Sequence, residues 1–304
     1  MVMAMNERIA FIGVGRMGGR MTKRLLDAGY RVAVYDPDEA AVRALVELDA
    51  AAAHSPAEAA GGADFILCSV PNPDILRDAV TGALTGAKPG ALIIDFSTGD
   101  PSVERELAAQ AAEHGVGFLD APVSRGVMGA EKGTLVVMVG GEAEALDRAR
   151  PVLAHLASDV VHVGPVGAGQ ATKLCNNMLT AIVATGLGEV LVTGVKAGVE
   201  LEPLVQALGA GSAGNFVLSN YLPVTLFTEA RTAGFAMQLM RKDLGLFVKA
   251  AQDIGLDLPL SDLAHERFVE ACETGLADAD YTSIAELYER AAELRLAPIA
   301  EVRT

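Results

Sequence analysis

The chain has 304 residues, of which 51% are hydrophobic and 21% charged, and its formal net charge is −15. Because single cores stop growing near ~250–300 residues, this length predicts two domains, and the composition excludes a disordered or collagen-like protein. The strong negative charge disfavours nucleic acid and anionic membranes as partners.

The cysteines and the first residues indicate the compartment. Cys68, Cys175 and Cys272 form no CxxC pair, which favours a reducing environment. The opening "MVMAMNERIAFIG" lacks the regions of a signal peptide. No uninterrupted apolar run approaches the ~18 residues typical of a membrane span. The sequence therefore predicts a cytoplasmic protein.

The first half alternates short apolar runs with helical stretches. Val/Ile/Leu-rich runs separated by helices of ~10–15 residues are typical of a parallel sheet covered on both faces. We therefore expect residues 1–164 to form a doubly wound α/β domain. The predicted strands are "RIAFIG" (8–13), "RVAVYD" (31–36), "DFILCSV" (64–70), "ALIIDFS" (91–97), "GFLDAPV" (117–123) and "LVVMVGG" (135–141).

The second half has a different pattern. After "HVGPVGAG" (162–169), where glycine and proline interrupt the strand pattern, the remaining long segments have helical character. The sequence thus predicts an all-α domain over residues 165–304, entered through one long helix.

A glycine-rich loop follows the first strand and opens the first helix. Gly13, Gly15 and Gly18 have GxGxxG spacing, in which the first glycine permits a tight turn, the second admits a pyrophosphate and the third allows close helix packing. A plain strand-to-helix turn is the structural alternative. The residues expected to contact a dinucleotide are Gly13, Val14, Gly15, Arg16, Met17 and Gly18.

Asp36 ends the second predicted strand, about 20 residues after the loop. A carboxylate here can accept hydrogen bonds from both adenosine ribose hydroxyls and would repel a 2′-phosphate. This predicts NAD rather than NADP. The stretch "DPDEA" is also a good helix-capping sequence, with Pro37 at the first helical position, so a purely structural role for Asp36 stays open.

Residues that follow later strands are further cofactor candidates, since ligands of open α/β sheets bind beyond the carboxyl ends of the strands. Val70 and Pro71 in "SVPNP" and Thr98 in "STGDP" meet this condition. The alternatives are a proline turn and a serine or threonine cap of the helix that begins near Pro101.

Lys173 lies near the start of the longest apolar helix. Burial and the positive end of the helix dipole both disfavour the ammonium form, so we expect a lowered pKa that suits a general acid/base. Asn177, one turn later, lies on the same helix face and can bind the reacting oxygen. Asn176 is expected to point elsewhere. A lysine that extends from the first turn into solvent is the alternative.

Two charges, Lys242 and Asp243, interrupt another apolar helical pattern. Asp243 could hold Lys173, and Lys242 could lie beside the cofactor; a solvated face is the alternative. The five histidines lack metal-ligand spacing, so metal catalysis is not indicated.

"DAPVSRGVMGAEKGTLVVMVGG" (120–141) is rich in glycine and small residues. Ser124 and the amides around Gly126 could converge on a substrate carboxylate, with Arg125 adding a forked cation. A hairpin turn with Arg125 on the surface is the alternative.

Four stretches in the same order resemble the β-hydroxyacid dehydrogenase family, which includes 3-hydroxyisobutyrate dehydrogenase and tartronate semialdehyde reductase. They are "FIGVGRMGGRM", "DAPVSRGVMGAEKGTL", "GAGQATKLCNN" and "MRKDL". The resemblance implies a Rossmann domain joined by a long helix to an all-α domain, assembled as homodimers or homotetramers. It implies NAD(H)-dependent hydride transfer to or from a small anionic β-hydroxyacid or semialdehyde acid.

The resemblance also implies roles for single residues. Lys173 becomes the acid/base and Asn177 a substrate contact, while Ser124 and Gly126 anchor the substrate. Thr98 is implied to lie beside the nicotinamide and Lys242 to touch the cofactor.

One position departs from the family pattern, because most relatives have glycine where this chain has Arg125. A similar arginine occurs among different neighbours in the sulfolactaldehyde reductase branch, and this partial match suggests recognition of a second or larger anionic group, while a narrower pocket is the alternative. An imine reductase, whose members generally lack the lysine, and a non-catalytic NAD-binding protein are the competing functions.

Overall fold

The computed structural model of the protein describes residues 7–296 and 298–299, so the first six residues of the opening stretch lie outside it. The chain divides into two compact units, with the division between Lys173 and Leu174. The sequence placed its boundary earlier, at 164/165. The first unit includes the beginning of the long helix because Asp120, which ends a strand, accepts hydrogen bonds from Gly167 and Gln170.

Within its described residues, the first unit contains one nine-stranded sheet in the order β3-β2-β1-β4-β5-β6-β8-β7, with β9 paired to β8. Strands β1 to β6 pair in parallel, which confirms the predicted doubly wound Rossmann-type domain. Strand β8 departs from the predicted parallel pattern, since it is antiparallel to β6 and β7. The strands are β1 (Arg8–Ile12), β2 (Arg31–Tyr35), β3 (Ala51–Ala52), β4 (Phe65–Cys68), β5 (Leu92–Asp95), β6 (Gly117–Asp120), β7 (Val123–Ser124), β8 (Leu135–Gly140) and β9 (Ala157–Gly164).

Both faces of this sheet are covered, because alternate residues of each strand point to opposite sides. Ile9 and Phe11 of β1 belong to one apolar core, whereas Ala10 and Ile12 belong to the other. The parallel strands are therefore apolar at consecutive positions, which is why they could be predicted from the sequence.

Seven helices connect the strands, and several begin with a side-chain cap followed by proline. Asn72 and Asp100, for example, accept hydrogen bonds from the backbone amides of Ile75 and Ser102. These caps fix where the loops beyond β4 and β5 end. The helices are α1 (Gly18–Asp27), α2 (Glu39–Val46), α3 (Pro56–Ala60), α4 (Pro73–Leu84), α5 (Pro101–Glu113), α6 (Gly126–Lys132) and α7 (Ala143–Leu153).

The second unit is helical, as predicted. Its residues form two apolar clusters, one that includes Met178 and Phe268 and another that includes Leu191 and Phe227. The helix that enters it is α8 (Ala168–Lys196), followed by α9 (Leu201–Ala210), α10 (Met237–Asp253), α11 (Pro259–Ala271) and α12 (Ala285–Ala292).

Helix α8 has 29 residues. Within the described part of the chain it is the one helix long and apolar enough to cross a membrane by length and composition. The core helices of soluble proteins meet the same two criteria, so this property does not indicate a membrane protein.

Candidate functional site

The glycine loop between β1 and α1 gives each glycine a different environment. Gly13 has φ +85°, a conformation that favours glycine, and a Cβ on Gly18 would collide with the carbonyl oxygen of Gly13. A Cβ on Gly15 would meet no atom within 4 Å. The loop thus turns tightly at Gly13, packs closely at Gly18 and leaves room for a ligand beside Gly15.

The start of α1 suits a phosphate group. Among the described residues, no side chain caps this helix at Met17, and its first turn carries no acidic group. Arg16, just before it, is exposed. Free amides and the positive end of the helix dipole attract anions. The residues present therefore fit the pyrophosphate of a dinucleotide.

Asp36 lies directly against this loop. Its Oδ2 accepts a hydrogen bond from the Val14 amide at 2.8 Å, and its Oδ1 accepts one from the Asp38 amide at 2.8 Å. The cap of α2 is Asp38, which accepts from the Ala40 amide, and the helix begins at Glu39 rather than at Pro37. Asp36 is therefore a fixed carboxylate at the loop and not the cap of that helix.

The loops beyond β4 and β5 meet at the same edge of the sheet. The Val70 amide donates to Ser97 Oγ at 2.9 Å, and a Cβ on Gly13 would lie 3.0 Å from Val70 Cγ1. Thr98 lies half-buried between the buried residues Ser97 and Gly99, whereas Pro71 is exposed. Asp100 caps α5, so the alternative of a serine or threonine cap was wrong.

Lys173 is 9% exposed, so it does not extend into solvent. The helix start before it is held by Asp120, whose Oδ1 and Oδ2 accept from the Gly167 and Gln170 amides at 2.8 Å each. Burial raises the pKa of Asp120, against the opposing effect of these hydrogen bonds. Sequence reasoning missed Asp120, although an aspartate that ends an apolar strand in "GFLDAPV" is a visible signal. The lowered pKa expected for Lys173 stays a prediction.

In the second unit, Asn177 and Asp243 are joined. Asn177 Nδ2 donates to Asp243 Oδ2 at 2.7 Å, and Lys242 Nζ lies 3.1 Å from Asp243 Oδ1. Asp243 is only 2% exposed, so a solvated face was wrong for it. Asn176 does not point elsewhere, since its Nδ2 donates to Asn177 Oδ1 at 3.0 Å. Asp243 thus fixes the amide of Asn177, and its predicted action on Lys173 stays a prediction.

The segment after β6 is not a plain hairpin, because β7 and α6 come before β8. Ser124 ends β7 and is half-buried, and Gly126 begins α6 with φ +57°. Between them, Arg125 has φ +80°. Its guanidinium donates to Thr134 O at 3.0 Å and Ser158 Oγ at 2.9 Å.

The same guanidinium lies 3.5 Å from Asp159 Oδ2. Arg125 is therefore occupied by the first unit's own oxygen atoms. These contacts hold Arg125 against the first unit, and its side chain is 45% exposed, in agreement with the alternative of a surface arginine.

Two family models cover most of the chain. Residues 8–164 match the NAD binding domain of 6-phosphogluconate dehydrogenase, and residues 167–288 match the NAD-binding domain of NADP-dependent 3-hydroxyisobutyrate dehydrogenase. The chain belongs to the β-hydroxyacid dehydrogenase family. The resemblance seen in the sequence is confirmed, and so is the prediction of an NAD-binding oxidoreductase.

Curated relatives align with nearly the whole length of this chain. A Pseudomonas aeruginosa 3-hydroxyisobutyrate dehydrogenase is 40% identical over 296 residues, which cover 92% of this chain and 98% of the relative. An NAD-dependent L-serine dehydrogenase of the same organism is 39% identical over 292 residues, covering 93% and 98%. The 2-(hydroxymethyl)glutarate dehydrogenase of Eubacterium barkeri is 35% identical, covering 93% and 95%.

Solved structures of the family agree. A Mycobacterium tuberculosis 3-hydroxyisobutyrate dehydrogenase, described with L-serine, has a TM-score of 0.88 at 35% identity and covers 93% of this chain and 99% of its own. An imine reductase from a Pseudomonas species has a TM-score of 0.63 at 19% identity, covering 92% and 98%. At that identity the likeness shows a shared fold alone.

The carboxylate of Asp120 generates a prediction about the start of α8. In Asp120→Asn an amide N–H would face one of the two backbone amides, so a buried hydrogen bond is lost and the free energy of unfolding should fall by about 2 kcal/mol. Chemical denaturation measures it. Asp147→Asn, an exposed change on α7, is the matched control; equal stability of the two variants would contradict the role of Asp120.

Proposed function

We propose that the protein is an NAD-dependent dehydrogenase of 2-substituted 3-hydroxypropanoates, which it oxidises reversibly at the terminal CH₂OH group to the aldehyde. The observation that carries this proposal is a buried lysine, Lys173, near the start of α8 in a chain of the β-hydroxyacid dehydrogenase family. An amine held away from bulk water is suited to proton exchange with a substrate hydroxyl.

The substrate class rests on what the relatives' substrates share. L-serine, 3-hydroxyisobutyrate and 2-(hydroxymethyl)glutarate, named for three relatives, are all HOCH₂–CH(R)–COO⁻. Their R groups are ammonium, methyl and carboxyethyl. Reduction of tartronate semialdehyde gives the member of this class in which R is hydroxyl. The common part is a carboxylate next to the carbon that bears CH₂OH, and R is where substrates differ.

The surroundings of Arg125 favour an R group without a second negative charge. The guanidinium is bound to Thr134 O, Ser158 Oγ and Asp159. Breaking charge-assisted hydrogen bonds to serve a ligand reduces the net gain from binding it. We therefore rank 3-hydroxyisobutyrate and its uncharged-R analogues above substrates with a second anionic group.

Each predicted site residue has its own role in the proposed reaction. When bound at the glycine loop, NAD would supply the acceptor for the hydride of the CH₂OH carbon, and NADH the donor in the reverse direction. Lys173 removes the hydroxyl proton during oxidation and donates one to the carbonyl oxygen during reduction. Asn177, one helical turn later, holds that oxygen, and Asp243 orients the Asn177 amide. Ser124 and Gly126 hold the carboxylate, which fixes the orientation of the reacting carbon.

A further part of the proposal is that NAD is used in preference to NADP. The Asp36 carboxylate is fixed at the glycine loop, where it favours ribose hydroxyls and repels a 2′-phosphate. Three other expectations also stay predictions. They are the contact of Lys242 with the cofactor, assembly as a homodimer or homotetramer, and a cytoplasmic location.

Replacing Lys173 tests the acid/base role. Lys173→Met should lower kcat by about 10²–10⁴ because proton transfer is lost, while NADH binding measured by calorimetry changes little. Lys173→Arg should be similarly inactive, since a guanidinium keeps its proton. Lys196→Met, at the exposed end of the same helix, should retain turnover. If Lys173→Arg were active, positive charge rather than proton exchange would be the requirement.

Asp36 makes a separate prediction about the dinucleotide. Asp36→Asn should lower the ratio of kcat/KM for NAD to that for NADP at least about tenfold, because a charged acceptor is lost and the repulsion of the 2′-phosphate disappears. Steady-state kinetics with both cofactors measure the ratio. Asp38→Asn removes a nearby charge but keeps the cap of α2; an equal change in that variant would refute the ribose contact.

Arg125 is tested with two substrates that differ in charge. In Arg125→Gly, kcat/KM for 3-hydroxyisobutyrate and for 2-(hydroxymethyl)glutarate should change by the same factor, to within about twofold, as expected when no substrate contact is lost. Arg150→Ala, on the surface of α7, controls for the loss of a cation. A loss confined to the dianion would mean that Arg125 binds the second carboxylate.

A further inference from the structure

Two acidic side chains that the proposed reaction does not use lie inside the first unit. Asp95 ends β5, Glu104 lies in the first turn of α5, and both are 0% exposed. Among the described residues, no N–H or O–H group donates a hydrogen bond to Asp95 Oδ2 or to Glu104 Oε2 when both carboxyl groups are ionised. The two carboxyl groups are in hydrogen-bond contact with each other.

A single proton between the two groups resolves both observations. Two ionised carboxylates in contact in a dry interior repel strongly, and each would leave an oxygen without a donor. If one group is protonated, its O–H donates to the other, and both oxygens are satisfied.

The other contacts show which group holds the proton. Asp95 Oδ1 accepts from the Ser97 amide at 3.1 Å and from Ser97 Oγ at 2.6 Å, which favours the ionised form. Glu104 Oε1 accepts one hydrogen bond, from Gln170 Nε2 at 3.1 Å. Burial, the charge of Asp95 and then that of Asp120 raise the pKa of Glu104 well above its usual value. Burial raises the pKa of Asp95 to about 6, against the hydrogen bonds from Ser97.

The other titratable groups that act on the pair leave this assignment unchanged. The Cys68 thiol is fully buried, and its pKa is raised by burial and by the two carboxyl groups, so it stays neutral. Asp120 adds negative charge and therefore favours a protonated Glu104.

The pair is connected to the predicted reaction residues through Gln170. The Gln170 side chain donates to Ser97 O at 3.0 Å and accepts from the Gly99 amide at 3.0 Å, so it holds the backbone on both sides of Thr98. Ser97 Oγ also accepts from the Val70 amide. Lys173 lies three residues after Gln170 on α8, about one helical turn away.

We propose that Asp95 and Glu104 share one proton, held on Glu104, and act as a positioning pair that fixes Gln170 and with it the loop of Thr98 and the turn of α8 that carries Lys173. The effect on turnover rests on the proposed dehydrogenase function. The shared proton does not.

Two substitutions of Glu104 test whether its hydrogen-bonding groups are required for turnover. Glu104→Gln keeps an acceptor for Gln170 and supplies an N–H donor to Asp95, so kcat should stay within about twofold of the wild type. Glu104→Leu has neither group, so kcat should fall about tenfold or more, with KM for NAD changed much less. Glu113→Gln, at the exposed end of α5, controls for the charge change.

The pH dependence of stability tests the proton without any turnover. Because the pKa of Glu104 is raised in the folded state, its stabilising contribution is complete below its ordinary pKa of 4.5 and is lost as pH rises through the folded value. Above about pH 6, where Asp95 is ionised, and until Glu104 loses its proton, the unfolding equilibrium constant of the wild type should therefore rise with pH more steeply than that of Glu104→Gln. The difference should approach tenfold per pH unit, as expected for one proton.

Infrared spectroscopy observes the same proton directly. The difference spectrum of wild type minus Glu104→Gln at about pH 8, well above the ordinary carboxyl range, should contain the C=O band of a protonated carboxylic acid. A carboxylate band in its place, together with equal pH slopes, would overturn the shared proton whether or not Glu104→Leu folds.

The two proposals fail in different ways. Full kcat in Glu104→Leu, or a loss in Glu104→Gln as large as that in Glu104→Leu, would overturn the positioning role. A wild type that turns over no 2-substituted 3-hydroxypropanoate would overturn the proposed function, while the infrared and stability measurements would still decide the proton.

Discussion

The attachment of the start of α8 to the end of β6 is the constraint on which the candidate site depends. Asp120 accepts hydrogen bonds from two backbone amides of that helix start, so a negative charge lies at the positive end of the dipole. This lowers the local positive potential in the turn where Lys173 is buried. A lysine near a helix N-terminus is unfavourable by itself, and the carboxylate of Asp120 offsets part of that cost.

The carboxyl ends of three neighbouring strands carry the polar side chains that position the candidate site. Strands β4, β5 and β6 are in register, with Cys68, Asp95 and Asp120 side by side at their carboxyl ends. From this row, Asp120 holds α8 and Asp95 holds the loop of Thr98. Each acidic group therefore positions a different predicted reaction residue, and its burial keeps those positions fixed.

Features specified by neighbouring residues could be predicted from the sequence, and those specified by distant pairs could not. The parallel strands and the glycine loop follow from apolar runs and from steric limits at Gly13 and Gly18. The partners of Arg125 lie 9 and 33 residues away along the chain, and Gln170 meets Ser97 over 73 residues. No local pattern encodes such contacts. The antiparallel direction of β8 was missed for the same reason, because it is defined by pairing with β6 and β7, which lie earlier in the chain.

Asp36 and Arg125 show how one residue can carry a local structural role at a position where a ligand role is expected. Asp36 binds the Val14 amide with one oxygen, and a carboxylate oxygen has two acceptor positions, so the loop contact and a ribose contact are compatible. Arg125 differs because its guanidinium has only donors, arranged in a fixed plane. Two hydrogen bonds from Nη1 and the ion pair with Asp159 orient that plane toward oxygen atoms of the first unit. The direction in which donors or acceptors point, rather than charge alone, therefore decides whether a residue that holds the fold can also contact a ligand.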